Sequence, residues 1–88
     1  MQNDKPSTQT TAEQVAPIVQ SIRPLLAGKP PELQGAVLAD LLAIWLAGHT
    51  VQGDPAATRQ LRTEVLEAHL AGMRPLIAVN AKIMGTIP

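Results

Sequence analysis

The chain reads as an all-α protein, a small helical bundle of three helices, the third long and kinked or broken near 72–75. Three observations carry that reading. Apolar residues recur at helical spacing in three stretches. Each stretch opens on a capping residue or a proline suited to a helix start. The glycines mostly fall between the stretches rather than inside them.

The first ten residues, MQNDKPSTQT, are polar and without period, so 1–10 is expected to be a mobile arm. Residues 11–88 are then a single helical domain. Thr11-Ala-Glu-Gln14 fits a capping box, with Thr11 as N-cap and Gln14 reaching back. Val15, Ile18, Val19, Ile22, Leu25 and Leu26 follow in a stripe about 120° wide. That predicts a first helix over 12–27, stopped by Gly28. Pro17 and Pro24 lie inside it, seven residues apart and on the polar side, where the carbonyls they leave unpaired can meet water.

Lys29-Pro-Pro-Glu32 starts the second helix, with Pro31 at the first helical position and Glu32 in the first turn. The segment 31–48, PELQGAVLADLLAIWLAG, is nearly all apolar and holds the only aromatic residue of the phenylalanine–tyrosine–tryptophan set, Trp45. It is too short, and too interrupted by Asp40, to span a bilayer, which needs about 20 apolar residues. Its large residues, Leu33 through Leu46, sweep about 220° of the helical wheel. One neighbouring helix cannot cover such an arc, so two or more neighbours are expected. Trp45 lies inside the arc and is expected to be buried. Ala36, Ala39, Ala43 and Ala47 form a smooth stripe that permits close helix approach.

Asp54-Pro55 is an N-cap followed by proline, opening a third helix at 55. Gly72-Met-Arg-Pro75 is a stop-and-restart signal. The apolar phase nevertheless continues across it, from Leu61, Val65 and Leu66 to Leu76, Val79, Ile83 and Met84. One kinked helix or two short ones, giving four helices in all, both satisfy the sequence. The short links make neighbouring helices antiparallel.

At 88 residues the chain is near the size where one core is marginal. With no cysteine, disulfides and thiolate zinc sites are excluded, and association is the remedy most open. Seven basic and seven acidic residues cancel, and the basic ones are scattered. That argues against nucleic acid, whose phosphates demand a basic stripe. The N-terminus lacks the basic-then-apolar design of a signal peptide, so a cytoplasmic location is expected. Abundant Ala, Leu, Pro and Arg fit a GC-rich bacterial coding sequence.

No nucleophile elbow or phosphate loop occurs, and no local metal-ligand pair such as H-x-x-x-H. The chain is expected not to be an enzyme and to use no cofactor and no metal. Asp40, the one charge in the middle of the second helix, and Arg62 and His69 on the third are expected to form an inner polar cluster that fixes helix register. His49, just past Gly48, suits the C-terminal end of the second helix.

These readings converge on a non-enzymatic interaction protein, an adaptor, regulator or inhibitor of another protein. It is expected to be a homodimer, with no nucleic-acid or membrane partner. An unbroken 55–84 helix spans about 45 Å, against about 24 Å and 27 Å for the first two. The excess leaves apolar residues that a second copy would cover. The expected interface is Leu38, Leu42, Trp45, Leu76, Ile77, Val79, Ile83 and Met84. The alternative is a small-ligand or metal-binding bundle built on Asp40, Arg62 and His69.

Overall fold

A computed structural model describes residues 9–86. Residues 1–8 of the expected arm lie outside the described residues. Three α-helices follow in order: α1, Thr11–Leu26; α2, Pro31–Ala47; and α3, Pro55–Met84. The all-α class is as the sequence predicts. Two compact units, Met1–Val37 and Leu38–Pro88, divide the chain inside α2.

In the first unit, α1 is capped one residue earlier than the sequence reading placed it. Thr10 is the N-cap, and Glu13 completes the capping box. The Glu13 N–H donates to Thr10 Oγ1 at 3.1 Å, and the Thr10 N–H donates to Glu13 Oε1 at 2.8 Å. The Thr10/Glu13 pair displaces the Thr11/Gln14 pair because a carboxylate accepts more strongly than an amide and suits the positive end of the helix. Gln14 instead donates its side-chain amide to the Gln9 carbonyl. The helix runs through Pro17 and Pro24. Gly28 then takes a left-handed backbone, φ 78°, that a side chain would resist. The side-chain amide of Gln34, on the first turn of α2, donates to the Leu26 carbonyl at 2.8 Å. It thereby satisfies one of the carbonyls that α1 leaves without an intrahelical partner.

The second unit is built around the turn between α2 and α3. The Val51 N–H donates to Thr58 Oγ1 at 2.9 Å, and the Thr58 hydroxyl donates back to the Val51 carbonyl at 3.2 Å. Gly53 supplies a left-handed residue, φ 76°. Asp54 caps α3 by accepting from the Ala57 N–H at 3.0 Å. From there α3 runs for 30 residues without a break and contains both Gly72 and Pro75. The stop is at Gly85, φ 73°, where the Thr86 N–H reaches the Ala81 carbonyl at 2.9 Å.

Among the described residues, none is buried. The best-covered apolar side chains of the second unit are the half-buried Leu42, Leu46, Leu61, Val65 and Leu66. They lie where the end of α2 meets the start of α3.

Candidate interaction surface

Arg62 and Trp45 define how α2 and α3 pair within the second unit. Arg62 Nη2 donates to the Ala47 carbonyl at 2.8 Å, and Nε donates to the His49 carbonyl at 3.1 Å. These carbonyls belong to the exposed end of α2, where a fixed cation also opposes the negative end of the helix dipole. One turn back along α2, the Trp45 indole meets His69, two turns further along α3, with ring centroids 5.2 Å apart. Moving backward along α2 thus corresponds to moving forward along α3. The pair is antiparallel, as the short link predicts. Replacing Arg62 with Met keeps the apolar stem and removes both bonds. Arg62→Met is expected to cost about 2 kcal/mol of stability, since bonds from a charged donor are the stronger kind. Urea unfolding followed by circular dichroism measures this, and an unchanged midpoint would count against it.

Trp45 is also met from the residues just past the end of α2. His49 packs edge-on, with centroids 5.0 Å apart and planes at 84°. The His49 Nδ1 lies 2.9 Å from the Trp45 carbonyl. The indole therefore stands between two imidazoles, one on each side of the turn. His49 is part of this arrangement, and the sequence reading had placed it only at the helix end. Trp45 is nevertheless 46% exposed, which corrects the expectation that it is buried. The reason is that α3 covers only one side of the wide α2 arc.

The three residues expected as an inner cluster are placed differently from one another. Arg62 is half-buried, and both its bonds go to backbone carbonyls rather than to Asp40. His69 and Asp40 are exposed. Among the described residues, no three His, Asp or Glu side chains gather as they would around a metal ion. An open hollow of about 410 Å³ beside the turn is lined by Val51, Asp54, Thr58, Arg59 and Arg62 among others. Nothing in it pairs a nucleophile with a base.

Of the expected interface residues, Leu42 is half-buried on the side of α2 that meets α3. Leu38, Trp45, Leu76, Ile77, Val79, Ile83 and Met84 are all exposed. Leu41 and Ile44 are exposed beside them and were not singled out, although both lie in the large-residue arc. Every residue of α3 from Leu70 through Asn80 is exposed. No described helix is long and apolar enough to cross a membrane. Compared with known protein families, with curated proteins and with solved structures, the chain matches none.

Proposed function

We propose that this chain is a non-enzymatic protein-interaction protein that works as a homodimer and acts as an adaptor, regulator or inhibitor of another protein. One observation carries the reading. The described chain buries no residue, while its large apolar side chains reach exposures as high as 76%, at Ile83. A stable soluble fold needs a desolvated core, because burial of apolar surface is the main force that offsets chain entropy. Apolar faces of this extent on a single copy mark association surfaces. The faces lie on helices, so the partner surface is another helical face docked side by side.

Size-exclusion chromatography with light scattering tests the reading directly. At tens of micromolar the protein is expected at twice the mass of one chain. A strict monomer with a cooperative melting transition would overturn it, because the apolar faces would then be closing within one chain.

A further inference from the structure

We infer that Gly72–Pro75 is a hinge in α3, at which the distal segment, residues 76–84, swings as a helical rod relative to the α2–α3 pair. The inference does not rest on the homodimer reading, and it concerns the second unit alone.

Within that unit, support from α2 ends just before the hinge begins. Along α3 the half-buried residues recur in pairs four apart: Ala57 and Thr58, Leu61 and Arg62, Val65 and Leu66. One turn further, His69 still meets the Trp45 indole of α2. Every residue from Glu67 through Asn80 is exposed. A helix without neighbours is held straight by its own turns alone, and local opening is easiest where packing is thin.

The chemistry of the next turn is the weakest in the helix. Pro75 has no N–H, so the Ala71 carbonyl lacks its partner four residues on, and the ring crowds that carbonyl. The proline also disfavours helical backbone at Arg74 before it. Gly72 has no side chain to restrain its backbone, and an added Cβ there would meet nothing within 4 Å. Sharp helix bends concentrate at prolines and glycines, and both occur here within one turn.

Each side of this turn is closed as a helix in its own right. On the near side, the Asp54 carboxylate caps the start through the Ala57 N–H. On the far side, Pro75 suits a first helical position. The Asn80 side-chain amide donates to the Leu76 carbonyl at 2.9 Å. Gly85 ends the segment in a left-handed backbone, with the Thr86 N–H on the Ala81 carbonyl. A bend at 72–75 therefore disturbs one turn and leaves both rods intact. The direction in which Leu76, Val79 and Ile83 face is then set by what they meet rather than by the fold.

Spin-label distances test the hinge, since the chain has no cysteine of its own. One labelled protein carries Ala39→Cys with Lys82→Cys, and a second carries Ala39→Cys with Arg59→Cys. All three positions are exposed. Dilution into excess unlabelled protein confines the measured distances to one chain. The 39–82 distribution is expected to be broad and the 39–59 distribution narrow. Gly72→Ala together with Pro75→Ala restores the missing bond and is expected to narrow the 39–82 distribution about twofold. Cα chemical shifts are expected to keep 76–84 helical with and without these two substitutions. A 39–82 distribution as narrow as 39–59 in the otherwise wild-type chain overturns the hinge. A 39–82 distribution that stays broad after both substitutions also overturns it, because the motion then arises elsewhere. Coil-like shifts over 76–84 overturn it in favour of a melted end. A broad 39–59 distribution overturns it too, because the α2–α3 pair itself would then be moving.

Discussion

On the proposed homodimer reading, Ile83→Asp is expected to yield a monomer while leaving each chain helical. Ile83 is 76% exposed on one chain, so an aspartate there meets water and disturbs nothing internal. In an assembled pair the same carboxylate would be buried without a partner. Uncompensated burial of that kind costs about 3–5 kcal/mol, which is a loss of at least about a hundredfold in affinity. Ile77→Asp is expected to act in the same direction but less strongly. Residue 77 lies about 120° round the helix from Ile83, and Arg74 stands three residues before it to neutralise the new charge. Light scattering over a dilution series, with circular dichroism on the same samples, measures both effects. An Ile83→Asp protein as dimeric as the wild type would remove distal α3 from the interface.

Much of the fold is legible from local chemistry alone. Asp54-Pro55 marks the start of α3, and Gly28 supplies the left-handed residue that follows α1. These signals act within a few residues, so a sequence carries them openly. The capping box moved by one residue because Thr10 and Thr11 both have a partner three positions on, and only chemistry separates Glu13 from Gln14.

Gly72–Pro75 left one kinked helix and two short ones both open, and α3 runs through it as one helix. A glycine stops a helix when it adopts a left-handed backbone, and Gly72 does not, whereas Gly85 does. A proline inside a helix removes one hydrogen bond, here to the Ala71 carbonyl, and a single loss does not end a helix with an uninterrupted apolar phase. The continuity of Val65, Leu76, Val79 and Ile83 was the better guide than the punctuation.

The candidate site was legible as a class of surface and not as a set of contacts. The 220° arc of α2 already implied more neighbours than one. Which polar groups meet across α2 and α3 depends on their axial register, and composition does not encode it. Arg62 illustrates this. Its place on the face of α3 suggested a carboxylate partner, but the register brings it to the end of α2, where unpaired carbonyls accept its donors. Asp40 is left exposed on α2.

Trp45→Ala is expected to have the largest effect of any single substitution, because Trp45 serves two contacts at once. Within one chain the indole joins α2 to α3 through His69 and closes the helix end with His49. Its remaining surface is exposed on the same large-residue arc as Leu41 and Ile44. On the proposed homodimer reading its exposed side is covered as well, and truncation of an enclosed tryptophan costs about 3–5 kcal/mol per site. A chain near the lower size limit for folding has little stability to lose. The variant is therefore expected to lose the dimer, the cooperative melting transition and most of its helical signal together. The wild type offers an independent check through its single indole. At high concentration the emission should be blue-shifted, and it should move red on dilution, in step with the loss of mass seen by light scattering. If the emission is unchanged across that range while the mass falls, Trp45 lies outside the association surface. If Trp45→Ala melts like the wild type, neither contact matters to stability.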